Sequence, residues 1–92
     1  MKFEWNPSKA ASNLDKHGVS FQEAKTVFDN PLAAVFDDEA HPIGEIREII
    51  IGYSQYHQLL TISFTDRTDF IRIISARFAT HQERKDYEQH RP

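Results

Sequence analysis

The sequence predicts an α+β fold, two helices packed on one face of an antiparallel β-sheet, in the order β-α-α-β-β-β-β-α. Three observations carry this. Two stretches, opening at Asn6-Pro7 and at Ser20, begin with helix-capping chemistry and continue with apolar residues at helical spacing. Three later runs, rich in β-branched and aromatic residues, alternate between two faces and are joined by four-residue turns, as in a meander. A further capping sequence, Thr80-His81-Gln82-Glu83, follows the last run and opens a final helix. One-faced helices need a sheet face to cover, and a two-layer sandwich supplies it.

Residues 2–5 are short and alternating, a first strand. Asn6 serves as N-cap, with Pro7 at the first helical position, where its missing N–H costs nothing. Ala10, Ala11 and Leu14 mark the inner face of this helix, and Gly18 suits the left-handed residue after its end. Lys16 and His17 fall on the last turn, where the helix dipole favours positive charge; phosphate binding is the other reading of the pair. Ser20 and Glu23 form a capping box for a second helix with Phe21, Ala24, Val27 and Phe28 on one face. Asp29-Asn30-Pro31 stops it. Residues 32–36 make a short strand, and residues 37–44 an acidic loop with proline and glycine, expected to be the most mobile region.

Residues 47–53 place Ile49, Ile51 and Tyr53 on one side of a strand and Ile50 on the other. Residues 59–65 set Leu60, Ile62 and Phe64 against Leu59, Thr61, Ser63 and Thr65. Residues 70–76 hold no Gly or Pro and read as a well-buried strand, interrupted by Arg72 and followed by Arg77. Two residues five positions apart face opposite sides of a regular strand. A bulge between them, a strand that ends before Arg77, or a site served by one arginine alone would each answer this. The preferred reading puts Arg77 in the turn beside the last helix. Arg84, Lys85 and Tyr87 lie on that helix.

The chain has 92 residues and no internal repeat or low-complexity linker, so one domain over residues 1–92 is expected. There is no cysteine, hence no disulfide and no thiolate metal site. No apolar run approaches the roughly 18 residues that span a bilayer, and no signal-peptide core is visible, so a cytoplasmic location is the simplest reading. The net charge of −3 is unevenly spread. Residues 29–48 hold six acids against Arg47 alone, whereas the segments before and after are each slightly basic. A local basic surface is therefore compatible with an acidic total.

Two stretches then stand out as text. The C-terminal one reads I-R-I-I-S-A-R-x-A-T-x-x-E-R-x-x-Y from Ile71, and the N-terminal one F-E-W-N-P-x-K-A-x-x-N-L-x-K-H-G-V-S-F-x-E-A from Phe3. Both resemble the BrnT family of bacterial toxins, and V-F-D-N-P-L from Val27 and I-G-Y-S from Ile51 fall where that family has similar text. Phe78 departs from it, since a basic residue often follows the Ala-Arg pair. The resemblance implies a RelE-like fold whose uncovered sheet face is an RNA-binding cleft. It implies a toxin of a type II toxin–antitoxin system, an endoribonuclease that inhibits translation. The implied partners are RNA and a small DNA-binding BrnA-like antitoxin, in a hetero-oligomer and without a membrane.

The residues permit such chemistry without a metal or another cofactor. No Asp/Glu cluster suggests two metals, no H-x-x-x-H spacing suggests zinc, and three glycines make no phosphate loop. Metal-free cleavage uses the substrate's own 2′-hydroxyl as nucleophile. The protein then has to align the groups, neutralise charge on the phosphoryl oxygens and move two protons. Arg77, Arg72 and Arg84 suit the charge, being always ionised with paired donors. Acid and base are drawn from Glu83, His81, Tyr87, Lys16 and His17, without assignment. Lys16, His17 and Lys85 are candidate RNA contacts. Against this stands a structural reading in which the arginines form salt bridges with Asp66, Asp69, Asp86 and Glu88. A non-catalytic interaction module on the same sheet is the rival function, and a DNA-binding regulator fits least, for want of a helix with a concentrated basic face.

Overall fold

Residues 1–38 and 46–90 are described by the computed structural model. In chain order the elements are β1 (Phe3–Glu4), α1 (Pro7–His17), α2 (Phe21–Val27), β2 (Ala34–Asp37), β3 (Glu48–Tyr53), β4 (Leu59–Asp66), β5 (Ile71–Phe78) and α3 (His81–His90). This is the expected order. The acidic loop expected after residue 37 lies almost wholly outside the described residues; Asp37 itself closes β2.

The sheet runs β1-β5-β4-β3-β2. Strands β2 to β5 pair antiparallel, but β1 joins β5 in parallel, so the sheet is mixed rather than wholly antiparallel. Two residues carry no readable periodicity from which a direction of pairing follows. Tertiary context sets it, through Phe3 opposite Ile71 and the Ile71 N–H donating to the Lys2 carbonyl at 2.8 Å.

The caps form as their chemistry dictates. Asn6 accepts from the Ser8 and Lys9 amides at 2.8 and 3.2 Å, and Gly18 takes a left-handed φ of 70° while its N–H closes on Leu14. Ser20 caps α2 through the Glu23 amide, but the Glu23 carboxylate turns inward and accepts from the Ser54 hydroxyl at 2.7 Å. Thr80 and Glu83 make the full reciprocal box at the start of α3.

Helices α1 and α2 cover one face. Val19, Phe21, Ala24 and Val27 pack there against Ile50, Leu60, Ile62, Phe64, Ile71, Ile73 and Ala76. The expected inner face of α1 needs correction: Ala10 is half-buried, but Ala11 and Leu14 are exposed and Asn13 points inward. The reason lies at the sheet edge. β1 reaches only Arg72, and beyond it β5 would present unpaired backbone groups. Asn13 does what a neighbouring strand would do, donating to the Ala76 carbonyl at 2.7 Å and accepting from the Ala76 N–H at 3.0 Å. It also donates to the Val19 carbonyl.

On β5 the register slips. Ser75 faces Ser63 but Ile73 faces Phe64, so Ile74 opposes no residue of β4. This bulge resets the alternation. Arg72 opposite Thr65 and Arg77 opposite Thr61 therefore share the face away from α1 and α2. Arg77 lies within β5, not in the turn where the sequence reading placed it.

Candidate active site

The far face of the sheet carries a lane of hydroxyl-bearing residues on β4 and β5, with an arginine at each end. Thr61, Ser63 and Thr65 come from β4 and Ser75 from β5. The ends, at Thr61 and Thr65, are four residue steps apart, about 13 Å along β4. Over one end lies α3.

At that end Arg77 and Glu83 form a two-pronged ion pair, with Nη1 and Nη2 donating to Oε1 and Oε2 at 2.6 and 2.7 Å. Glu83 reaches this position because the capping box fixes its turn of helix. Its Oε1 also accepts from the Thr80 amide at 2.9 Å and from the Thr61 hydroxyl at 3.0 Å. Partial burial pushes the carboxyl pKa up, but hydrogen bonds from Arg77, the Thr80 amide and Thr61, with the charge of Arg77, hold it at about 2. The hydrogen bond that Arg77 donates to Glu83 raises the Arg77 pKa in turn, against desolvation. The arginine side chain remains 40% exposed and its glutamate partner 19%.

Arg84 lies one residue on and donates to the Tyr53 hydroxyl at 3.1 Å. The Tyr53 ring meets that of Tyr87 edge-on at 5.8 Å. Tyr87 is only 2% exposed and belongs, with Ile51 and Leu59, to a second apolar cluster that seats α3 on the sheet. That is a core position rather than one facing a substrate. His81 and Lys85 are exposed on α3. Arg72 sits at the opposite end of the lane, paired with Glu4 across the β1–β5 ladder. Lys16 and His17 lie away from Arg77, beside the free edge of β5.

The structure thus brings Arg77, Glu83 and Arg84 together and leaves Arg72, Lys16 and His17 at other places. The arginines do pair with carboxylates, but with Glu4 and Glu83 rather than with Asp66, Asp69, Asp86 or Glu88. Two participants escaped the sequence reading. Thr61 and Tyr53 were assigned to strand faces from their alternation, yet their contacts with Glu83 and Arg84 depend on where α3 lands. Among the described residues, no group of three His, Asp or Glu is placed to hold a metal ion. No helix among them is long and apolar enough to cross a membrane.

A five-stranded mixed sheet, backed by two helices and bearing arginines and hydroxyls on its other face, defines a small α+β protein with a face suited to anionic ligands. Residues 5–83 match the family model described as the ribonuclease toxin BrnT of type II toxin–antitoxin systems, and the chain belongs to that family. Its fold is similar to that of the Brucella abortus ribonuclease toxin BrnT, known from a crystal structure at 1.1 Å resolution. The two are 25% identical, with 88% of this chain and 99% of the other covered and a TM-score of 0.69. No curated protein matches the chain. Membership implies RNA as substrate and an antitoxin as partner.

Proposed function

We propose that the chain is a metal-independent endoribonuclease that cuts RNA on the far sheet face, inhibits translation and is neutralised by a BrnA-like antitoxin. The observation that carries this reading is the Arg77–Glu83 pair. A guanidinium has five N–H donors, and the pair occupies two of them, so three stay available on a side chain whose orientation is already fixed. A positioned, permanently charged fork is what the phosphoryl oxygens need as the 2′-hydroxyl attacks the adjacent phosphorus. The 2′-hydroxyl gives its proton to a base, the 5′-oxygen of the next nucleotide leaves with a proton taken from water, and a 2′,3′-cyclic phosphate remains.

Glu83 then positions rather than transfers protons, since a carboxyl with a pKa of about 2 is ionised and engaged with Arg77. Tyr87 is buried. His81, on the exposed first turn of α3, is the side chain assigned to a proton transfer, and Arg84 to a second phosphate contact. The reading places the chain in the cytoplasm, as one domain over residues 1–92.

The same ion pair favours the rival reading, in which Arg77 is a structural tie and the face binds a partner without cleaving anything. One experiment separates the two. Arg77→Ala is expected to abolish cleavage of bulk RNA in excess EDTA while moving the thermal midpoint little. A large drop in midpoint with activity retained would make the arginine structural. Strict Mg²⁺ dependence, or 5′-phosphate ends, would refute the mechanism.

The antitoxin is expected to dock beside α3 and block Arg77, burying more than about 1,000 Å² in total. The net charge of −5 over residues 29–48 suits a basic protein. Hydrogen exchange should show protection gained from residue 77 to residue 87 on complex formation. Protection confined to residues 37–44 would rule out inhibition by blocking the site.

A further inference from the structure

Along the free edge of β5, past the two residues that β1 covers, lies a cavity of about 200 Å³. It is lined by Lys9, Ser12, Asn13, Lys16 and His17 of α1 and by Ile74 and Ser75 of β5. The volume is several times the ~30 Å³ share of a water molecule in the liquid, enough for a tetrahedral anion with some of what it is attached to. We propose that this groove binds a phosphate of the RNA strand beside the one that is cut, and so sets the path of the substrate across β5. The inference rests on the reading of the far face as the cleavage site and extends it to the flanking nucleotide.

Three observations support it. The α1 residues recur at intervals of three and four, so they form one stripe, and every charged side chain in the lining is basic. Their positions are not all accounted for by helix stability. Lys16 and His17 sit on the last turn, where the dipole welcomes them, but Lys9 is in the first turn, which holds no acidic residue. A cation there opposes the dipole, so a ligand gives Lys9 a reason that capping does not. The floor is also irregular: Ile74 is the bulged residue, left out of the β4 ladder, and bulges gather beside functional sites. Finally, Ser75 lines the groove and belongs to the hydroxyl lane, two residues before Arg77. Groove and arginine are therefore about 7 Å apart along the strand.

The test uses the full chain and a single-stranded RNA with 2′-deoxy substitutions that prevent cleavage. Binding is followed by fluorescence anisotropy across a salt series. Lys9→Gln with Lys16→Gln should weaken binding and lower the slope of log K against log salt by about 0.7, the value for one neutralised phosphate on a single strand. Lys2→Gln with Lys25→Gln removes the same charge elsewhere and should leave the slope unchanged, with circular dichroism confirming that both variants fold. Equal slopes for the two pairs would overturn the groove, as would wild-type protein that fails to bind. An antitoxin affinity that falls with the first pair while the RNA slope holds would overturn it too. Wild-type protein that binds the blocked RNA with the expected slope, yet cuts no unmodified RNA, would refute the cleavage reading and leave the groove standing.

Discussion

Glu83 is an acid held in its charged form at a place where burial alone would favour the neutral one. Its folded-state pKa of about 2 lies below the ordinary 4.5, so the pair contributes stability above about pH 4.5. That contribution is lost as pH falls from 4.5 through 2. Because the pair is partly solvated, its worth is about 1–2 kcal/mol rather than the full value of the shift. Glu83→Gln should lose that much in urea denaturation at pH 7 and nothing further at pH 2, where wild type and variant converge. Asn13 is the other residue on which much depends. Asn13→Leu leaves the Ala76 N–H and the Ala76 and Val19 carbonyls unpaired in a buried place. At about 1–3 kcal/mol for each group stranded, a loss of roughly 3 kcal/mol or more is expected in the same measurement.

At the level of elements, α3 is anchored by few side chains. Tyr87 is its buried residue, and Glu83, Arg84 and His90 add polar and ring contacts to Arg77, Tyr53 and Phe36. Tyr87→Ala should strip exchange protection from residues 81–90 while α1 and α2 keep theirs, because the two apolar clusters lie on opposite faces of the sheet. Equal loss in all three helices would show one cooperative unit instead. The helices and the four longer strands were legible because caps and alternation are local signals. Asn6, Ser20 and Thr80 announce helix starts, and Ile50 set against Ile49 and Ile51 announces a strand. A bulge was one of three answers open to the Arg72–Arg77 spacing, but nothing in the sequence singled it out or placed it at Ile74. An unpaired residue leaves no mark in a run of isoleucines, and with it went the true facing of Arg77. Asn13 was missed because a polar residue on a helix reads as solvent-facing until a bare strand edge is known to lie beneath it.

For the molecule as a whole, what the sequence left open was which distant parts meet. β1 is too short to reveal its parallel partner, and the site needs α3 folded back onto strands β3 to β5. Most of this converges on β5, which pairs with β1 and β4 and is clamped by α1. That convergence bears on how the protein comes into being. Asn13 and Ala76 are 63 residues apart in the chain, so at about 5–20 residues per second roughly 3–13 s of synthesis separates them. During that interval β1 and α1 lack the strand that β1 pairs with and α1 clamps, and contacts this distant in sequence are slow to form. Arg77 emerges after all of them, and Glu83 later still. The Arg77–Glu83 pair therefore exists only once both β5 and α3 have been made.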